Sequence, residues 1–192
     1  WKEGLDELGK NGISVVYPDK VEAYPVKVFE DPTELPKSKF ALVLVKSWQT
    51  ERAAKQLDKF LSTDGVALTL QNGFGNLEIL SDYLGEERAA QGITTYGSTL
   101  LEPGTVRPGG EGLISLQEHS RLQGLIGLFK QADLAVQMVP DLTGMIWGKI
   151  IINVAINPLT ALLGVKNGQL LESSHTKDLM ALIAQETAQV AQ

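Results

Sequence analysis

Short, continuous apolar runs alternate with amphipathic stretches along the first two thirds of the chain. Phe40 to Val45, Val66 to Leu70 and Ala89 to Thr95 are apolar runs of strand length, the pattern of strands covered on both faces. Between the first two, Glu51 to Leu61 sets Ala53, Ala54, Leu57, Phe60 and Leu61 on one side of a helix, and a second helix runs from about Gly75 to Leu84. Repeated strand, helix, strand order predicts a parallel α/β sheet with right-handed crossovers. Upstream, Lys2 to Leu8 reads as a helix closed near Gly9 or Gly12. Ile13 to Tyr17 and Ala23 to Phe29 read as strands about the Pro18-Asp19-Lys20 turn, with Pro25 placing the second at an edge. Downstream, Gly104 to Leu116 reads as a strand pair with a Gly-rich turn, Leu122 to Gln131 as a helix and Leu134 to Val139 as a strand.

Beyond Pro140 the pattern turns helical: Leu142 to Ile156, a short helix after Pro158, a loop at Gly164 to Gln169, and Thr176 to the end. The expected fold class is therefore α/β, a partial Rossmann-like parallel-sheet domain over residues 1–140 followed by the beginning of an all-helical domain over 141–192. Ile146 to Ala155 is apolar around most of its circumference, so that helix is expected to be buried. Lys149, Asn153 and Asn157 break the pattern. Four residues apart, they drift by about 40° per step and form one narrow polar stripe. A buried ammonium or amide without a partner costs on the order of 1–3 kcal/mol or more, so protein groups or a ligand must satisfy the stripe, which is expected to face the sheet domain across a cleft. The alternatives are local: Asn157 before Pro158 can cap the next helix, Asn167 before Gly168 can form a turn, and Lys149 can snorkel. Gly144 to Gly164 is long enough for a membrane span, but one Lys, two Asn and a Pro inside it argue against membrane insertion.

Composition narrows the chemistry. A net charge of -6 without a basic patch makes a nucleic-acid partner unexpected. The sequence has no cysteine, which excludes a disulfide framework and thiolate metal sites, and His119 and His175 are its only histidines, so no metal centre is expected. No signal-peptide pattern is visible, in keeping with a cytoplasmic setting. Ligands of parallel α/β sheets bind beyond the carboxyl ends of the strands. That rule selects Lys46, Asn72 and the stretch from Thr94 to Ser98, each of which could equally be a solvated strand end or a turn. A lysine with several amides, and no nucleophile beside a histidine base, suits polarising a carbonyl rather than hydrolysis. Lys149 could donate a proton to a ketone oxygen while a bound nicotinamide supplies hydride.

The stretches LVLVKSWQT, TLQNGFGNLEIL, QGITTYGSTLLEPGTV and WGKIIINVAINPLTALLGVKNGQLLE together resemble the ketopantoate reductase (2-dehydropantoate 2-reductase) family, of the broader 6-phosphogluconate dehydrogenase-like group. The resemblance implies reduction of 2-dehydropantoate to pantoate with NADPH, on the way to pantothenate and coenzyme A. It implies Lys149 as proton donor, Asn153, Asn157 and Asn167 on the substrate's hydroxyl and carboxylate oxygens, and Lys46, Asn72 and Ser98 as cofactor contacts, Ser98 through its backbone. A small 2-oxo acid is then the partner, and a homodimer of the parent is compatible with it. The family's opening strand and G-x-G-x-x-G turn would precede Trp1, and its later helices would follow Gln192. The chain is accordingly expected to be an internal fragment with little activity alone, exposing Leu179, Leu182, Ile183 and Val190. Two alternatives stay open: reduction of another branched 2-oxo acid, and a non-catalytic nucleotide-sensing module.

Overall fold

The computed structural model describes residues 2–192. It divides into two compact units, one made of the chain through Gln71 together with Asn76–Pro140, the other of Asn72–Gly75 together with Asp141–Gln192.

The first unit holds α1 (Lys2–Asn11), β1 (Ile13–Val16), β2 (Val21–Tyr24), β3 (Ser38–Val43), α2 (Thr50–Phe60), β4 (Leu61–Thr69), α3 (Asn76–Leu84), β5 (Ala89–Thr94), β6 (Ser98–Glu102), β7 (Thr105–Pro108), β8 (Ile114–Gln117), α4 (Gln123–Gln131) and β9 (Val136–Val139). Its main sheet runs β3-β4-β5-β8-β9. The apolar run of β4 explains the layering. Val66 and Leu68 enter one core with Leu116, Leu122, Leu125 and Phe129 of β8 and the α4 region, while Ala67 enters another with Ala54, Leu57, Leu80 and Leu84 of α2 and α3. Side chains alternate across a strand, so a strand buried on both faces needs no polar positions.

The predicted parallel order holds for β3, β4 and β5, and the main sheet is then extended in mixed sense, β8 running antiparallel to β5 and β9 parallel to β8. The segment from Gly104 to Leu116 is not a hairpin, because its two strands serve different sheets. β7 joins a second, four-stranded sheet in the order β2-β1-β7-β6, pairing in parallel with β1 at Ser14↔Thr105 and Val15↔Val106. β6, with all five residues exposed, has no apolar pattern to announce it. The second early strand also lies at Val21–Tyr24, before Pro25 rather than around it, and forms an edge of that sheet.

Gly12 closes α1 in the left-handed conformation (φ 73°), its N–H donating to Leu8 O at 3.0 Å. A Cβ there would stand 2.2 Å from the carbonyl oxygen of Tyr24. Gly12→Ala is therefore expected to destabilise the unit by more than the roughly 1–2 kcal/mol that the left-handed backbone alone costs an alanine. Urea unfolding checks this, and an unchanged midpoint would contradict it.

The second unit contains α5 (Thr143–Leu163), a 3-10 segment at Asn167–Glu172 and α6 (Ser174–Val190). Instead of breaking at Asn157, α5 continues through Pro158. Buried Ala155 and Leu159 pack on either side of the proline, and Thr160 Oγ1 donates to Asn157 O at 2.9 Å among the carbonyls nearby. Asn157 is thus an interior helix residue, not a cap. The helix ends at Gly164 (φ 67°), whose N–H donates to Thr160 O at 2.9 Å. Nor is α5 buried throughout: Ile146, Ala155 and Leu159 are buried, whereas Ile152, Val154, Leu162 and Leu163 are exposed, because α6 and the 3-10 segment pack on part of its circumference. By length and composition alone α5 could cross a membrane. On α6, Leu179, Leu182 and Val190 are exposed and Ile183 is half-buried.

Candidate functional site

Lys149, Asn153 and Asn157 lie at successive four-residue steps of the unbroken α5, so they share one side of it. Lys149 and Asn153 are half-buried and Asn157 is exposed. Burial holds the Lys149 ammonium below its ordinary pKa of 10.5, since desolvation penalises the charged form. Desolvation of this kind makes an ammonium a stronger acid. Asn167 is exposed at the start of the 3-10 segment rather than in an isolated Asn-Gly turn. The segment's entry is fixed by the Lys166 N–H, which donates to Gln169 Oε1 at 2.9 Å.

Asn72 and the three residues after it belong to this same helical unit, although they follow β4 in sequence. Phe74 and Trp147 rings meet at 5.0 Å between centroids and 51° between planes, fastening the loop to the first turns of α5. Gly73 and Gly75 take φ values of 87° and 89°, and a Cβ at either would have no heavy atom within 4 Å. The loop backbone is therefore open to an approaching molecule.

In the sheet unit, Lys46 is exposed just beyond β3, its backbone N–H donating to Gln49 Oε1 at 3.2 Å. Ser98 sits elsewhere than at the end of β5: it opens β6, an edge strand of the second sheet, opposite Pro108. The two residues are thereby assigned to different sheets. Beyond the carboxyl end of β4 lies a network that the sequence reading passed over. Thr50, fully buried, donates through Oγ1 to Asn76 Oδ1 at 2.9 Å, and Gln71 Nε2 donates to Thr50 Oγ1 at 2.9 Å and to Val45 O at 2.6 Å. Thr69 Oγ1 donates to Gln71 Oε1 at 2.9 Å. Gln71 and Asn76 are the sheet-unit residues that flank the Asn72–Gly75 loop in sequence. The available signal is Thr69 inside the apolar run from Val66 to Leu70, matched by Gln71 two residues on.

The family model described as "Ketopantoate reductase PanE/ApbA" matches residues 1–121, and that of its C-terminal part, "Ketopantoate reductase PanE/ApbA C terminal", matches residues 141–192. The chain belongs to the ketopantoate reductase family. Among curated members, the 2-dehydropantoate 2-reductase of Archaeoglobus fulgidus is 37% identical over 153 residues, covering 77% of this chain and 51% of that protein. That of Halobacterium salinarum is 30% identical, covering 99% of this chain and 64% of its own length. This family member thus spans between half and two thirds of these relatives. The crystal structure of 2-dehydropantoate 2-reductase from Geobacter metallireducens GS-15 superposes with a TM-score of 0.86 at 29% identity, over 95% of this chain and 63% of that one. A ternary structure of D-mandelate dehydrogenase with NADH and anilino(oxo)acetate shares the fold at a TM-score of 0.90 and 22% identity, covering 100% of this chain and 63% of that one. The Rossmann-like α/β domain and the helical part after it are the architecture of the ketopantoate reductases.

Proposed function

We propose that this chain carries the proton-donating lysine of an NADPH-dependent reductase that converts 2-dehydropantoate to pantoate, a step toward pantothenate and coenzyme A. The observation that carries the reading is Lys149, a half-buried ammonium with a lowered pKa on an apolar helix of a ketopantoate reductase family member. The names of the curated relatives support the substrate, and the NADH in the D-mandelate dehydrogenase structure supports a nicotinamide cofactor.

The residues present fit such a cofactor. The open Gly73 and Gly75 backbone leaves room for close approach, and the exposed Lys46 and Asn72 offer an ammonium and an amide suited to phosphate, ribose or carboxamide oxygens. With Ser98, these residues would hold it. A nicotinamide, when bound, supplies hydride to the carbonyl carbon. Lys149 Nζ donates a hydrogen bond to the substrate's ketone oxygen and transfers a proton as negative charge gathers there. Asn153, Asn157 and Asn167 hold the hydroxyl and carboxylate oxygens and orient the carbonyl.

NADPH consumption followed with 2-dehydropantoate and a panel of other branched 2-oxo acids, on the polypeptide at the length at which it is made, tests the reading. Turnover selective for 2-dehydropantoate is expected. NADPH binding without turnover of any 2-oxo acid would refute it and favour a sensing module.

A pH dependence follows. Lys149 acts as the ammonium, so kcat should fall as pH rises through its pKa, with the midpoint of that limb below 10.5. Burial penalises the charged form, so the associated loss of stability is present below the folded pKa and lifts as pH rises toward 10.5. A kcat profile flat to pH 10.5 would exclude Lys149 as the donor.

A further inference from the structure

We propose a second binding site, for an extended aliphatic polyamine, in the cleft at the amino end of β5 and the carboxyl end of β8. Because β3, β4 and β5 are parallel, this is the opposite end of the sheet from Lys46. The cleft encloses about 440 Å³, within the range of small-molecule sites. Four carboxylates from three parts of the chain line it: Glu78 and Asp82, four residues apart on α3, Glu86 in the following 3-10 turn, and Glu118 just past β8.

Its lining contains no lysine or arginine. The nearby guanidinium groups are engaged elsewhere, Arg121 with Glu87 at 2.8 Å and Arg88 with Asp58 at 3.6 Å. His119 reaches the lining with Nδ1 accepting the Arg121 backbone N–H at 3.2 Å. Among the described residues, no lysine or arginine therefore lines the cleft beside the four carboxylates.

Gln91 supplies the independent observation. It is 9% exposed, lies on the lining, and its carboxamide makes no hydrogen bond among the described residues. Neither amide atom is sealed from solvent, since the one enclosed side-chain atom without a partner there is Arg88 Nε. The carboxamide consequently opens on the cleft. Its oxygen, reached from the cleft, suits an ammonium donor.

The form of the ligand follows from the spacing of these groups. Among the described residues no three His, Asp or Glu side chains are grouped to hold a metal ion, so the negative charge is spread rather than focused. Leu77, Ala89 and Ala90 add apolar wall between the carboxylates. Ammonium groups separated by methylene segments match that alternation: one nitrogen on Gln91, the others on the acidic rim, and the carbon chain on the apolar wall.

Titration calorimetry with spermidine, and with Mg²⁺ at matched ionic strength, tests the site. One saturable spermidine site is expected, without competition from Mg²⁺ beyond its screening. Gln91→Leu should weaken it about tenfold or more, and Asp82→Asn, exposed on α3 and harmless to the fold, about threefold. Thermal unfolding of each variant separates lost affinity from lost structure. Non-saturable heat, equal displacement by Mg²⁺, or unchanged affinity in folded Asp82→Asn would overturn the proposal.

Discussion

Replacing Lys149 by alanine should lower kcat for 2-dehydropantoate by about 100- to 10,000-fold, the span that a positioned general acid contributes, while NADPH affinity changes by less than about threefold. The asymmetry follows from where the ammonium acts. Its interaction with the carbonyl oxygen strengthens only as negative charge develops there, so its loss appears in the chemical step rather than in cofactor binding. Burial magnifies the effect, because a donor in low dielectric interacts more strongly with that charge than one in water. Lys149→Met separates charge from packing: the methionine refills most of the half-buried space on α5 and should be as inactive as the alanine. Equal losses in kcat and cofactor affinity would instead make Lys149 a binding residue.

Thr50→Val should lower stability by about 2–4 kcal/mol, or about 4–16 °C in the unfolding midpoint, while barely changing side-chain volume. The hydroxyl is fully buried, donates to Asn76 and accepts from Gln71. Valine removes both roles at once: half-buried Gln71 loses an acceptor, and buried Asn76 loses a donor where water cannot readily replace it. Thr50→Ser, which keeps the oxygen, should recover most of the loss. A wild-type midpoint for the valine variant, measured by differential scanning calorimetry, would mean that the hydroxyl carries none of this network.

What could be read from the sequence depended on whether a signal was local and periodic. The strands β3, β4 and β5 were legible because both faces are covered and their apolar runs are unbroken. The second sheet was not, because β1 pairs with β7 some ninety residues away and the half-exposed strands carry no comparable run. Distant pairing also misled the reading of Gly104 to Leu116, where sequence proximity suggested a hairpin and β8 instead joined β5 and β9. The polar stripe of Lys149 and Asn153 stood out against an apolar helix. Thr50, Gln71 and Asn76 form a network only after β4 and α2 have packed, and singly each resembles an ordinary surface residue. Asn157 before Pro158 has the pattern of a cap and first position of a new helix, but α5 runs through both, and packing at Ala155 and Leu159 outweighs the cost of the hydrogen bond that the proline removes.

The same proline gives α5 an uneven exchange landscape. Without an N–H at residue 158, the ladder lacks the rung that would reach the Val154 carbonyl, and helix opening propagates poorly across such a gap. The turns before it, bearing Lys149 and Asn153, and the turn ending at Gly164 are then separate cooperative segments within one continuous helix. Fraying at the Gly164 end can exchange its amides with deuterium while the segment that presents Lys149 stays protected.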